Sequence, residues 1–398
     1  MSNLKDYNFK GKNVLIRVDF NVPLSKENFS VTDNKRIKAA LPTINHVLEN
    51  NGRVILLSHL GRPKNGPDHQ FSLKHLVPEL ENLLNRKVQF ISDCIGNEVK
   101  ESASKLINGE VLLLENVRFY KEETNGDYDF AKEIASLGDC YINDAFGTAH
   151  RAHATTTQIA DFFPKSKMFG FLMQAELDNA NKVLKDSERP FTAIVGGAKV
   201  SDKILIVENL LNIADHIIIG GGMAYTFFKA KGGNIGTSLL ETDRLETCLD
   251  ILKKAESKGV KIHLPIDSMI ADRFSNDANT KVSKSDCIDE NYMGLDIGPE
   301  AIEQFSTVIR NSKTILWNGP MGVFEMSSFA NGTNKIAQVI ADTTINTGAY
   351  SLIGGGDSAA AIKKFQLESQ VSYVSTGGGA LLEYFEGKTL PGVDAILN

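Results

Sequence analysis

Short runs rich in Val, Ile and Leu recur along the whole chain and alternate with longer amphipathic stretches. Their spacing predicts strands at residues 14–18, 54–57, 88–91, 111–114 and 141–142 in the first half. In the second half it predicts them at 192–195, 216–219, 261–264, 314–317, 351–353 and 371–374. Strands that are apolar throughout, with no polar alternation, belong to parallel sheets covered by helices on both faces. Two such series predict an α/β protein with two domains of similar size and a boundary between Ile142 and Thr192. Within that interval residues 170–185 (GFLMQAELDNANKVLK) read as one helix, which Ser187-Glu188-Arg189-Pro190 breaks before the next strand. Periodicity alone leaves two roles open for this helix, a hinge between two cores or one more helix packed on either.

Open α/β sheets bind ligands beyond the carboxyl ends of their strands, so the residues following each strand carry the functional signal. In the first half these are Asp19-Phe20-Asn21, then Ser58-His59-Leu60-Gly61-Arg62-Pro63, then Glu115-Asn116-Val117-Arg118-Phe119. The fourth strand end runs Asn143-Asp144-Ala145-Phe146-Gly147-Thr148-Ala149-His150-Arg151. A lone arginine at such a place is most simply a surface ion pair. Arg62, Arg118, Arg151, His59 and His150 together, with Arg36 available from the next loop and helix, predict a basic pocket for a small polyanion. Arginine suits this, because its planar fork matches phosphate and carboxylate. His153 reads as structural.

The second half carries glycine at the same locations: Gly196-Gly197 before Ala198-Lys199, Gly220-Gly221-Gly222, Asn318-Gly319-Pro320-Met321-Gly322, and Gly354-Gly355-Gly356-Asp357. Glycines where a strand turns into a helix let backbone N–H groups approach a phosphate. A helix beginning near Ser201 is expected to let Lys199 and Lys203, four apart, reach toward one side. Asp357 stands before an expected helix at 358–365, either as its N-cap or as a Mg²⁺ ligand beside phosphates. These features predict a nucleotide site. It is not a P-loop, since Leu382 occupies the first glycine position before Gly387-Lys388-Thr389. A partial dinucleotide fingerprint, Gly354-x-Gly356-x-x-Ala359, lacks the acidic ribose partner, because the next strand runs into Ser375-Thr376-Gly377. That argues against a nicotinamide oxidoreductase. No GxSxG nucleophile or HExxH zinc pair is present.

Composition narrows the class further. A length of 398 residues suggests two or three domains, and 42% hydrophobic with 23% charged residues is ordinary for a globular protein. The formal net charge of −6 gives no basic footprint for nucleic acid. Cys94, Cys140, Cys248 and Cys287 form no CxxC pair, which fits a reducing compartment. The polar opening MSNLKDYNFKGK has no apolar signal region, and no run approaches the 18 or so residues of a membrane helix. A soluble, cytoplasmic, multidomain protein without nucleic-acid or membrane partners is expected.

Six segments together resemble the phosphoglycerate kinase family: RVDFNVPL (17–24), SHLGRP (58–63), AFGTAHRAH (145–153), VGGAKV (195–200), LWNGPMGVFE (316–325) and GGGD (354–357). They run in family order to the closing LPGVD (390–394), so the resemblance covers essentially the whole chain. It implies two Rossmann-like three-layer α/β/α domains with mainly parallel sheets, joined by a hinge helix. Residues 1–169 plus 378–398 would form the 3-phosphoglycerate domain, 170–187 the hinge helix and 188–377 the nucleotide domain. The implied reaction is reversible phosphoryl transfer between ATP and the carboxylate of 3-phosphoglycerate, giving ADP and 1,3-bisphosphoglycerate, with Mg²⁺ and a monomeric enzyme.

By matching position, Asp19, Asn21, Arg36, His59, Arg62, Arg118 and Arg151 would hold 3-phosphoglycerate, with His150 in the same basic patch. Gly197, Gly221, Gly222, Gly294, Leu295, Asn318, Pro320, Val323 and Glu325 would line the adenosine site. Lys199, Lys203, Gly354, Gly355, Gly356 and Ser358 would face the phosphates, and Asp357 would hold Mg²⁺. Arg36, Lys199, Gly355 and Gly378 would act on the moving phosphoryl group. Ser358 stands where many members carry Thr, and Leu381 where Ser is common. A non-catalytic nucleotide-binding relative would have lost its charged site residues, yet Arg36, Lys199 and Asp357 are all present.

Overall fold

The computed structural model describes residues 2–398. The chain divides into two compact units, Met1–Leu177 with Thr389–Asn398, and Asp178–Lys388. In the first unit lie β1 (Asn13–Arg17), β2 (Arg53–Leu57), β3 (Val88–Phe90), β4 (Val111–Leu113), β5 (Cys140–Asn143) and β6 (Lys167–Phe169). They form one sheet of order β3-β4-β2-β1-β5-β6 with every neighbour parallel. Val14 of β1 lies beside Val54 on one side and Cys140 on the other. β1 and β2 each bury four consecutive residues, as strands covered on both faces must. Helix Lys35–Glu49 contributes to this core Ile37, Ala40, Ile44, Val47 and Leu48, one stripe at three- and four-residue spacing. Connections run outward from β1 in one direction and from β5 in the other, which puts a topological switch point between them.

The second unit holds β7 (Phe191–Val195), β8 (His216–Ile219), β9 (Asn234–Ile235), β10 (Lys261–His263), β11 (Asp267–Ala271), β12 (Thr280–Lys284), β13 (Cys287–Ile288), β14 (Met293–Ile297), β15 (Thr314–Asn318), β16 (Tyr350–Gly354) and β17 (Tyr373–Val374). Its main sheet is again six-stranded and parallel, in the order β10-β8-β7-β15-β16-β17, with its switch point between β7 and β15. Trp317 of β15 is fully buried in the core beside Ile194, Phe305 and Ile353.

Every predicted strand is present, with ends shifted by at most two residues. Additional strands are β6 and two small sheets, antiparallel β12-β11-β14 and the pair β13-β9. β12 (TKVSK) is almost wholly exposed and β11 (DSMIA) begins with polar residues, so neither shows a continuous apolar run. The linking helix spans Phe171–Leu184, against an expected 170–185. The helix expected near Ser201 begins instead at Ile204, because the Ser201 hydroxyl and amide bond Glu241 and hold 201–203 in a turn. The C-terminal return is shorter than 378–398. Pro391–Leu397 packs in the first unit, where the Gly392 amide donates to Ala149 O at 2.8 Å. Helix Gly379–Phe385 packs instead on helix Ile204–Leu210, with Asn209 Nδ2 donating to Phe385 O at 2.6 Å.

Candidate functional site

In the first unit, hydrogen bonds stitch the loops at the carboxyl ends of the strands together. Phe20 N donates to Ser58 Oγ at 2.9 Å and Gly61 N to Asn21 Oδ1 at 2.8 Å, joining the β1 and β2 loops. Arg118 Nη1 donates to Gly61 O at 3.0 Å, and Asn116 Nδ2 to Leu60 O at 2.7 Å, which brings in the β4 loop. Arg36, at the start of its helix, donates to Asp19 Oδ2. Arg151 Nε and His150 Nε2 are 3.2 Å apart at the β5 loop.

Electrostatics show that these groups share one region. Burial pushes the Arg118 guanidinium down to about 10, and the Arg17 and Arg151 charges add to the effect. His59 titrates well below its ordinary value through burial, then through Arg17, Arg118 and Arg36. Burial and the Arg118, Arg17 and Arg151 charges lower His153 to about 4. The cluster therefore joins Asp19, Arg36, His59, Arg118, His150 and Arg151. Arg62 is exposed and makes no hydrogen bond or ion pair among the described residues. A cavity of about 480 Å³ lies beside Asn21 and Gly61, between Phe29 and Phe71, and Lys26 is the one cationic side chain that lines it.

Behind the cluster sits a buried network that the sequence pattern missed. Arg17 ends β1 with its side chain wholly buried, and its Nε donates to Thr155 Oγ1 at 2.9 Å. Thr155 in turn donates through Oγ1 and N to Glu123 at 2.7 and 2.9 Å. A charged residue closing the apolar run Val14–Ile16 is the available signal.

In the second unit a cavity of about 540 Å³ opens beyond β7, β8 and β15. Gly197, Gly221, Gly222, Gly294, Leu295, Pro320, Val323, Glu325 and Asp357 all line it, as expected. Tyr225, Thr237, Leu239, Phe274, Met293 and Asp296 also line it and carried no motif. Gly294 and Leu295 sit on antiparallel β14 and not on the main sheet. The ends of β7 and β15 approach so closely that a Cβ on Gly319 would overlap Gly196 O.

Of the predicted residues that do not line the cavity, Lys203, Ser358 and Gly355 meet the end of β15 at Asn318 and Gly319. Lys203 Nζ donates to Asn318 Oδ1 at 2.6 Å, and burial lowers its pKa. Gly319 N donates to Ser358 Oγ at 2.6 Å, which holds the β15 loop against the start of helix Gly356–Lys364. Gly355 caps that helix with φ +85° and no side-chain cap, leaving the first-turn amides for an anion. Asp357 is therefore a helical residue and not the N-cap. Its carboxylate is exposed at the cavity and makes no hydrogen bond or ion pair among the described residues. Lys199 is exposed in the loop before the 201–203 turn, so the two lysines do not share a helix face. Gly354 ends β16, and Gly378, at φ +50°, precedes helix Gly379–Phe385.

Comparison with known proteins places the whole chain in one family. The family model described as phosphoglycerate kinase matches residues 4–388. The phosphoglycerate kinase of Porphyromonas gingivalis is 52% identical, with 99% of each chain covered. The cytosolic phosphoglycerate kinase of Nicotiana tabacum is 51% identical over 100% of this chain and 98% of its own. Among solved structures, phosphoglycerate kinase from Coxiella burnetii superposes with a TM-score of 0.89 at 41% identity, covering 98% of this chain and 97% of that one. That from Pyrococcus horikoshii gives 0.84 at 31% identity, covering 100% and 98%. With the motifs, the fold and the relatives in agreement along its length, the chain belongs to the phosphoglycerate kinase family.

Proposed function

We propose that the chain transfers the γ-phosphoryl group of ATP reversibly to the carboxylate of 3-phosphoglycerate, using the arginine cluster for the acceptor and the glycine-framed cavity for the nucleotide. The acceptor carboxylate is already ionised at neutral pH, since carboxyl groups titrate near 4. It attacks phosphorus directly, the bond to the bridging oxygen breaks, and the electron pair leaves with ADP. No protein base or nucleophile is required. Catalysis then consists of positioning and of neutralising charge on the equatorial oxygens. Arg36, Lys199 and the amides around Gly355 supply this, and we give Gly378 the same role at the neighbouring helix start. Asp19, Asn21, His59, Arg62, Arg118, His150 and Arg151 hold the acceptor.

Asp357 suits a magnesium ion that arrives with the nucleotide. Mg²⁺ keeps several waters and is commonly held by one or two carboxylates plus substrate phosphates, and this carboxylate is unpaired at the mouth of the cavity. When bound, the ion neutralises phosphate charge. We further propose that one chain acts alone and that helix Phe171–Leu184, which crosses from one unit to the other, is the hinge for closure. Scattering should then show a smaller radius of gyration with both ligands present than with either alone. Four free thiols agree with a cytosolic setting.

What carries the assignment of roles is the separation of chemistry, with stitched arginine loops in one unit and a glycine-framed cavity with Asp357 and Lys203 in the other. Titration calorimetry tests it. Arg118→Ala should weaken 3-phosphoglycerate by at least about tenfold, the cost of a lost charge-assisted hydrogen bond, and leave Mg-ATP affinity unchanged. Loss of nucleotide binding instead would contradict the assignment.

A further inference from the structure

Arg17 offers the buried network more than a charge. Its guanidinium has donors in three directions: Nε to Thr155 Oγ1 at 2.9 Å, Nη1 to the Val18 carbonyl, and Nη2 to His59 Nδ1 at 3.4 Å. Guanidinium carries only N–H donors and stays protonated in proteins, so the His59 atom facing it must accept. An imidazole that accepts at Nδ1 is neutral and keeps its proton on Nε2. We infer that Arg17 is a positioning residue that holds His59 as the neutral Nε2–H tautomer, so that His59 meets the acceptor substrate as a hydrogen-bond donor and not as a cation.

The surroundings agree. Burial disfavours the charged ring, and the nearby Arg17, Arg118 and Arg36 cations oppose a second proton, with His153 adding to the effect when it is protonated. The opposing carboxylate, Asp19, lies 4.0 Å from Nδ1, beyond hydrogen-bond reach. Its oxygens are already engaged, Oδ2 with Arg36 and Oδ1 with the Asn21 amide at 3.2 Å. Glu123, 4.0 Å from Arg17, balances the buried guanidinium and accepts from Thr155 at both of its oxygens. His59 Nε2 has no partner among the described residues and is not among their sealed, unpartnered polar atoms, so it remains available to a ligand oxygen. The ligand's identity rests on the function proposed above, whereas the tautomer does not.

Long-range ¹H–¹⁵N spectra of the full-length chain, with His59 assigned by its loss in His59→Gln, test the inference from about pH 5 to 8. The expected result is a neutral His59 with an unprotonated Nδ1 across the range. A proton on Nδ1, or an ordinary titration near 6.5, would overturn it. Arg17→Met should release the ring toward ordinary titration and raise the KM for 3-phosphoglycerate about tenfold with the ATP KM unchanged. If that variant fails to fold, Arg17→Lys keeps a cation beside Glu123 without the fork and should show the same spectral change. An unchanged His59 spectrum in either variant would overturn Arg17's role.

Gln places an amide N–H where Nε2–H sits, whereas Asn places one near Nδ1. His59→Gln should therefore raise that KM less than about tenfold and His59→Asn more. The reverse order would overturn the donor role. Because the spectra need no substrate, the expected spectrum in a chain without 3-phosphoglycerate-dependent turnover would refute the acceptor, and with it His59's role toward it. A cationic His59 in an active enzyme would refute this inference alone.

Discussion

Arg36 Nη1 donates to Asp19 Oδ2 at 2.7 Å, tying the first turn of helix Lys35–Glu49 to the loop that follows β1. Asp19 is almost buried, while Arg36 keeps 37% of its side chain exposed. The carboxylate thus fixes one side of the guanidinium and leaves the other for an anion. If Arg36 acts on charge that develops during transfer, Arg36→Ala should lower kcat at least about a hundredfold. A change confined to the KM for 3-phosphoglycerate would make it a binding group only, and steady-state kinetics separate the two.

The two lysines of the second unit should behave differently. Lys203 is anchored on Asn318 and partly buried, so Lys203→Ala should act mainly on nucleotide KM, by about tenfold or more. Lys199 is exposed in its loop, where it can follow a moving group, so Lys199→Ala should act mainly on kcat. Identical effects of both substitutions on the two constants would contradict this division.

Asp357→Asn keeps the side chain's shape and removes its charge. The Mg²⁺ concentration required for half-maximal activity should rise at least about tenfold, with the KM for 3-phosphoglycerate unchanged. Titrating activity with Mg²⁺ at fixed ATP makes the comparison, and an unchanged Mg²⁺ requirement would remove Asp357 from the metal.

Asp144 gives a stability prediction. Its wholly buried carboxylate accepts from Met173 N at 3.1 Å at the start of the linking helix, and burial raises its pKa from 3.8 to about 6. A raised folded-state pKa means that this group's contribution to stability is present below about pH 4 and is lost as pH rises through 6. The difference is about 3 kcal/mol at 1.36 kcal/mol per unit. Asp144→Asn, neutral at every pH, should therefore melt a few degrees above the parent at pH 8, with the gain vanishing near pH 4. Calorimetric melting across that range decides it; a gain independent of pH would show that the charge is not responsible.

Much of this protein is legible from its residues because the parallel strands are apolar throughout and their ends carry the chemistry. β7, β8, β15 and β16 announce themselves in this way, and so do the glycines after them. β12 is exposed and β11 half polar, and their pairing depends on chain brought back by the loops between them, so no local pattern marks them. Helix Ile204–Leu210 begins later than its local pattern predicts because the deciding contact, Ser201 with Glu241, spans 40 residues. Arg17 looked like one position of a motif; its partner Thr155 lies 138 residues away. Leu239 and Phe274, which wall the nucleotide cavity, come from loops with no motif. What stayed hidden, in each case, depends on residues distant in sequence.

In the proposed reaction an acyl phosphate is made from ATP without a protein nucleophile. ADP release from Mg-ATP should be measured with and without 3-phosphoglycerate, with hydroxylamine present to capture the acyl phosphate as a hydroxamate. ADP release that depends strictly on the acceptor and matches hydroxamate mole for mole is the predicted result. ADP release without acceptor, or acceptor-dependent release without hydroxamate, would contradict it.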